Sequence, residues 1–265
     1  MNGTAGMLTG HTALITGAES GIGRACALAL ANAGAAVCIG YKDDGAGAEE
    51  TRRQATAAGA RAVTVRADVG SPHDVERLLA ACVKELGTPD LLVHSAGINA
   101  HGKRVVDLAP AEWDAVLRTN LTGPFLVARA FLRALPVGTP GRIVIVTSVH
   151  EEMPALGVAE YCASKGGLRS LVRCLALEAA ARRVTVNAIA PGTIVTAMTQ
   201  ELIDDPAAMA EHEKTIPLGR AGRVDDIAAA AVFLCGDGAD YITGTSITVD
   251  GGMLLNVASG PPQEG

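Results

Sequence analysis

Aromatic side chains are scarce in this sequence: three Phe, three Tyr and one Trp among 265 residues. A buried core must therefore be mainly aliphatic and alanine-rich, and 49% apolar against 19% charged residues is enough to build a large one. An excess of positive charge is also missing. Lys and Arg number 22 against 28 Asp and Glu, a net charge of −6, and no Lys/Arg block occurs, so nucleic-acid binding is not expected. No apolar run reaches the roughly 18 residues that cross a bilayer, so no membrane partner is expected. The opening residues Met1-Asn2-Gly3-Thr4-Ala5-Gly6-Met7 lack the charged-then-apolar form of a signal peptide. Six cysteines, at 26, 38, 82, 162, 174 and 235, show neither Cys-x-x-Cys pairs nor metal-ligand spacing. The expectation is no metal, buried free thiols and a cytoplasmic location. With no long polar linker and no internal repeat, one domain should span residues 1–265, with 259–265 a flexible tail.

What the chain does have is alternation. Short apolar runs near 13–16, 36–40, 62–67, 91–94, 142–147, 185–190 and 246–249 read as strands. Several are continuous, such as Ile143-Val144-Ile145-Val146, which suits parallel strands covered on both faces. Amphipathic stretches near 22–33, 46–58, 72–86, 111–135, 158–181 and 225–235 read as helices, and Pro124 should kink or break the fourth. The pattern predicts a single-domain, doubly wound (Rossmann) parallel sheet of about seven strands with helices on both faces. The long irregular stretch 196–222 interrupts it and reads as a mobile lid over a substrate.

Ligands of such sheets bind beyond the carboxyl ends of the strands. Gly17, Asp68, Gly97, Ser148 and Pro191-Gly192 all fall at or just after predicted strand ends. Thr16-Gly17-Ala18-Glu19-Ser20-Gly21-Ile22-Gly23 joins a strand to a helix. Glycines there admit a pyrophosphate close to the backbone, and the helix start offers N–H donors. Its spacing differs from Gly-x-Gly-x-x-Gly by having three residues between the first two glycines. Tyr161 and Lys165 are four apart, on one face of a predicted helix, with Ser148 thirteen residues upstream. A fixed ammonium should favour the phenolate and make Tyr161 usable as a base, with Ser148 hydrogen-bonding the reacting oxygen.

Together these residues resemble the short-chain dehydrogenase/reductase family over about residues 9–253. The resemblance implies a nicotinamide-dependent oxidoreductase acting on a small-molecule substrate. Asn120, Ser148, Tyr161 and Lys165 would be its catalytic set, with Asn120 placing a water that links Lys165 to solvent. The cofactor would be held by Gly17, Ser20, Gly21, Ile22, Gly23, Tyr41, Lys42, Asp68, Val69, Ala96, Gly97, Pro191, Gly192, Ile194 and Thr196, together with Tyr161 and Lys165. A homotetramer is implied as well, packed through the 111–135 and 158–181 helices. The chain departs from the family at His94-Ser95-Ala96-Gly97, where Asn-Asn-Ala-Gly is usual, and at Glu19, where small polar residues are common. His94 reads as a structural replacement at a strand end, or else as a new catalytic group.

Two choices stay open at this level. Tyr41 stands where an acid would bind a ribose 2′-hydroxyl, and Lys42 follows, which suits a 2′-phosphate. Asp43, Asp44 and Glu19 oppose it, so the cofactor is NADP or NAD with the balance towards NADP. Ser148-Val149-His150-Glu151 with Pro154 is similar to a segment of the bacterial glucose 1-dehydrogenases, placing His150 beside the substrate unless it is a surface loop histidine. Glucose or another secondary alcohol is one substrate reading; 3-oxoacyl, steroid or other small carbonyl compounds are the alternative. A non-catalytic cofactor-binding regulator is the reading from another class.

Overall fold

The computed structural model describes residues 6–256; the tail expected at 259–265 lies outside them. Seven strands form one parallel sheet in the order β3-β2-β1-β4-β5-β6-β7. They are β1 (Thr12–Thr16), β2 (Ala36–Tyr41), β3 (Ala62–Arg66), β4 (Leu91–His94), β5 (Gly141–Val146), β6 (Val184–Pro191) and β7 (Ser246–Val249). The chain reverses its direction of winding between β1 and β4, and the crevice above that point is where this topology binds ligands.

Alternation along each strand assigns the two faces. Ala13, Ile15, Val37, Ile39 and Val93 point to one layer, where α1 (Gly21–Asn32), α2 (Gly45–Ala57) and α9 (Val224–Cys235) pack. Leu14, Cys38, Leu92, Ile143 and Ile145 point to the other, against α3 (Pro72–Leu86), α5 (Gly123–Ala134) and α6 (Ala159–Ala179). The scarcity of aromatics is met with small residues: α1 and α9 meet through Ala27, Ala31, Ala228 and Ala231 around Leu30 and Ile227. Small side chains let helices approach closely, and close packing in place of bulk fills this core.

All six cysteines are free; Cys26, Cys38, Cys82 and Cys235 are buried, but Cys174 is exposed. Burial alone pushes the Cys26 thiol up to about 12, so it stays protonated and inert.

The break expected at Pro124 takes a particular form. Proline has no N–H to give to the carbonyl four residues back, that of Asn120. Between α4 (Pro110–Leu117) and α5 the helix widens into a π turn, Arg118–Thr122, with Asn120 fully buried inside it. π turns of this kind are frequent at functional sites.

The 196–222 stretch holds a 3₁₀ turn (Ala197–Thr199), α7 (Gln200–Ile203) and α8 (Pro206–Glu213). Asp205 caps α8 by accepting from the N–H groups of Ala207 and Ala208. Leu218 N–H donates to the Gly251 carbonyl at 3.0 Å, which ties the far end of the stretch to the turn after β7.

Candidate active site

The glycine turn is held by backbone geometry that only glycine meets easily. Gly17 and Gly21 have φ of +66° and +51°. A Cβ on Gly23 would stand 2.0 Å from the Gly17 carbonyl oxygen, and one on Gly17 would meet the Ala96 backbone at 2.8 Å. From behind, Thr51 Oγ1 donates to the Ala18 carbonyl at 2.9 Å, and the Arg24 guanidinium donates to the Glu19 carbonyl. The turn is thus a fixed cradle at the start of α1.

Above it lies a cleft of about 290 Å³ lined by Gly17, Ser20, Gly21, Ile22 and Gly23, by Tyr41 and Lys42, by Asp68 and Val69, and by Ala96, Gly97 and Thr196. A second cavity of about 220 Å³ shares Ile22, Gly97, Ile98 and Thr196 with it, so the two are continuous. The second is lined by Ser148, His150, Tyr161, Lys165, Pro191, Gly192 and Ile194. Every site residue read from the sequence therefore lines this double cleft, with the exception of Asn120. The residues present fit a dinucleotide: a cradle that any Cβ would fill, beside a long crevice ending at a phenol and an ammonium.

Asn120 acts from behind the wall. Its Oδ1 accepts from Ile98 N–H at 2.8 Å and its Nδ2 donates to the Ile98 carbonyl at 2.9 Å. The amide is engaged on both sides, so a water relay through this side chain finds its main partners taken.

The catalytic candidates meet at the ends of β5 and α6. Ser148 and Tyr161 line the same cavity, and His150 N–H donates to Ser148 Oγ at 3.2 Å. Lys165 Nζ donates to the Val146 carbonyl at 3.2 Å and stands 5.3 Å from the centre of the Tyr161 ring. Burial pushes Lys165 down to about 8, with the Glu151 carboxylate pulling it back up. The expected acidic phenol is not found: burial holds Tyr161 above its ordinary value, and the Ser148 hydrogen bond offsets this only in part. The reason is placement. The ammonium lies over the ring and is bound to a strand carbonyl, while burial strips the phenol of solvent.

His150 is oriented for recognition. Its Nδ1–H donates to the Met153 carbonyl at 2.7 Å, which leaves Nε2 as an acceptor. Its ring stands edge-on to Tyr161, 5.9 Å between centres. His94 is packed out of reach of substrate: it is 1% exposed, Nδ1 lies 3.0 Å from Thr16 Oγ1, and Nε2 has no partner. Burial and then the nearby Lys165 charge push it down to about 3, so it is a neutral structural group at ordinary pH.

At the far end, Lys42 Nζ pairs with Asp68 Oδ2 at 2.9 Å. Burial draws the Asp68 carboxyl upward, but Lys42 and the Gly70 N–H outweigh it and hold it below the usual range. Arg66 faces Asp43 at 3.7 Å, which takes up part of the acid that opposed a phosphate. Glu19 lines the same cleft with a shielded, unpartnered Oε2.

Sequence reasoning missed Ile98, Asn99, Met198 and Met253 on the substrate side. Ile98 and Asn99 follow a strand end directly, so the strand-end rule could have found them. Met253 arrives from the far end of the chain, and nothing local marks it.

A seven-stranded parallel sheet with a glycine cradle at its switch point, opening onto a buried Ser-Tyr-Lys cluster, defines a nucleotide-dependent oxidoreductase. The profile of the family described as Enoyl-(Acyl carrier protein) reductase matches residues 17–254. The chain is 40% identical to 3beta-hydroxysteroid dehydrogenase 1 of Eggerthella lenta over 252 residues, covering 94% of this chain and 95% of that protein. It is 35% identical to glucose 1-dehydrogenase 2 of Bacillus subtilis, covering 94% and 96%. The crystal structure of a gluconate 5-dehydrogenase from Burkholderia cenocepacia, in complex with NADP and tartrate, superposes with a TM-score of 0.88 at 33% identity, covering 94% and 96%. This chain belongs to the short-chain dehydrogenase/reductase family, and it is an NAD(P)-dependent oxidoreductase.

Proposed function

We propose that the chain interconverts a small, uncharged secondary alcohol and its carbonyl compound, with Tyr161 moving the hydroxyl proton. The observation that carries this reading is the meeting of Ser148, Tyr161 and Lys165 in a cavity continuous with the dinucleotide cleft. A bound nicotinamide supplies or takes up the hydride. In the oxidation direction, Ser148 Oγ would hold the substrate oxygen, and Tyr161, once its own proton has left to solvent, would take the hydroxyl proton as a phenolate. Lys165 carries the positive charge that would stabilise that phenolate, and it is the residue that would hold the ribose hydroxyls of a bound cofactor. The amide of Asn120 holds Ile98 by one bond on each side, and the Asn120 carbonyl, to which Pro124 has no N–H to give, would be its contact with a relay water.

Three features support an uncharged substrate. Among the described lining residues Lys165 is the only Lys or Arg on the substrate side, and its ammonium is turned to the Val146 carbonyl, so a substrate carboxylate has no Arg or second Lys to pair with. His150 Nε2 and Asn99 offer partners for hydroxyls. Ile98, Val149, Val158, Met198 and Met253 supply an apolar wall. Glucose fits this lining, and so does an uncharged ring alcohol of steroid type. A panel of D-glucose, gluconates, secondary alcohols, hydroxysteroids and 3-oxoacyl thioesters, followed by the absorbance of reduced nicotinamide, decides between them. Turnover of the uncharged alcohols above the gluconates is the expected result; no turnover across the panel would overturn the reading.

On the cofactor side NADP is our reading: Lys42, Arg66 and Arg77 stand beside the end of β2, each paired with an acid (Asp68, Asp43 and Asp74) that a 2′-phosphate would have to displace. Lys42→Ser is expected to weaken NADP about tenfold relative to NAD, since one charge-assisted phosphate contact is lost. An unchanged ratio of the two dissociation constants, measured by fluorescence quenching, would assign Lys42 to solvent. The reading also includes a lid at 196–222, latched by the 2.7 Å contact of His212 Nε2 with Thr193 Oγ1 beside the substrate cavity. A cytoplasmic homotetramer belongs to it too; the apolar side chains of Phe125 on α5 and Leu177 on α6, 44% and 82% exposed, are available to such an interface.

A further inference from the structure

The residue before the catalytic tyrosine is a buried acid. Glu160 is 0% exposed, in the first turn of α6. Its Oε1 accepts from the backbone N–H of His101 at 2.8 Å and lies 3.2 Å from His101 Nδ1, while Oε2 has no partner. A buried carboxylate is costly to keep, and this one is placed where its neighbour in sequence is the proposed base.

What it holds is the wall of the substrate cavity. After β4 the chain runs without helix or strand until α4, and Ile98 and Asn99 in that run line the cavity. Asn120 grips the run at Ile98 through two hydrogen bonds, and Glu160 grips it three residues later. A second contact lies beside the acid. A Cβ on Gly157 would stand 3.1 Å from the carbonyl carbon and oxygen of Gly102, so the two loop backbones pack directly on one another.

We infer that Glu160 is a positioning residue that fastens the substrate-facing wall at 98–101 to the first turn of α6, and so sets where the substrate lies relative to Tyr161. Burial draws the Glu160 carboxyl upward, yet the His101 N–H and ring outweigh it and hold it below the usual range, so the clamp is ionised at neutral pH. The opposite rim, 196–222, is the side left to open. The inference rests on the proposed function only for its kinetic consequence; the clamp itself is a property of the free chain.

The test therefore has two arms on the full-length protein. Amide hydrogen exchange reads the wall directly. Glu160→Ala is expected to speed exchange in peptides covering 97–104 while leaving those of α1 and β1 unchanged. Glu160→Gln keeps an oxygen for the His101 N–H and should restore most of the protection; His101→Ala, which removes only the ring contact, should fall between. In the kinetic arm, with whichever alcohol of the panel turns over, Glu160→Ala is expected to raise KM about tenfold or more. Turnover number should shift by less than about threefold and dinucleotide affinity by less than about twofold. Unchanged exchange at 97–104, or loosening that spreads to α1 with a parallel loss of dinucleotide affinity, would overturn the inference. If the wild type turns over nothing, the functional reading fails, and the exchange arm still decides the clamp.

Discussion

Tyr161→Phe is expected to lower turnover about a thousandfold while leaving dinucleotide affinity within about twofold. The substitution removes one oxygen and keeps the ring, so the packing against His150 and the ammonium over the ring survive. The loss should be this large because no other group takes the proton. Ser148 is an alcohol of much higher pKa, the free Nε2 of His150 is on a ring held 5.9 Å from that of Tyr161 by the Met153 carbonyl and is not expected to replace the phenol, and Lys165 is turned to the Val146 carbonyl. The raised phenol makes the oxidation direction favour alkaline solution, where the proton leaves more easily. Stability should change little: the ring keeps its packing against His150, and Ser148 keeps the His150 N–H. A variant retaining near-normal turnover would remove Tyr161 from the chemistry.

His94→Asn, which installs the usual residue of the family at this position, is expected to flatten the acid side of the stability profile. The unfolded chain takes up a proton on this imidazole near 6.5, whereas burial and the neighbouring Lys165 charge make the folded chain refuse it until about 3. Between those values the unfolded state binds more protons, so folding stability falls as pH falls. The slope from this group is about 1.4 kcal/mol per pH unit, with the full effect reached near pH 3. Urea unfolding at pH 7 and pH 4.5 should therefore show the wild type losing about 3 kcal/mol more than the variant. Parallel profiles would mean that the ring finds a proton acceptor or solvent in the folded state. The orphaned Nε2 and the 1% exposure argue that it finds neither. The same substitution should leave turnover near neutral pH largely intact, since His94 is neutral there and lines neither cavity.

The seven strands and the Rossmann arrangement were legible because their signals are local. Runs such as Ile143–Val146 declare strands buried on both faces, and the 16–23 turn declares its contact with the next helix through glycine spacing alone. Tyr161 and Lys165 announced a shared face because four residues on a helix is a fixed geometry. Pro124 announced a break, though not that it would be a π turn enclosing Asn120. Glu19 and His94 stood out by differing from the family pattern, but their surroundings could not be read. One imidazole looks the same in a sequence whether it faces water or a lysine.

The sequence by itself determined the sheet, the cradle at its carboxyl edge and the candidate trio Ser148, Tyr161 and Lys165, because each is written in spacings of a few residues. Only the tertiary structure decided the state of those groups: a phenol raised by burial, an ammonium pushed down to about 8, and an imidazole kept uncharged. It also decided the frame of the substrate cavity, where Glu160 meets His101 across 59 positions and Asn120 meets Ile98 across 22. Solvation and contacts between distant segments depend on how the crossovers stack around the sheet, and that depends on the whole chain at once.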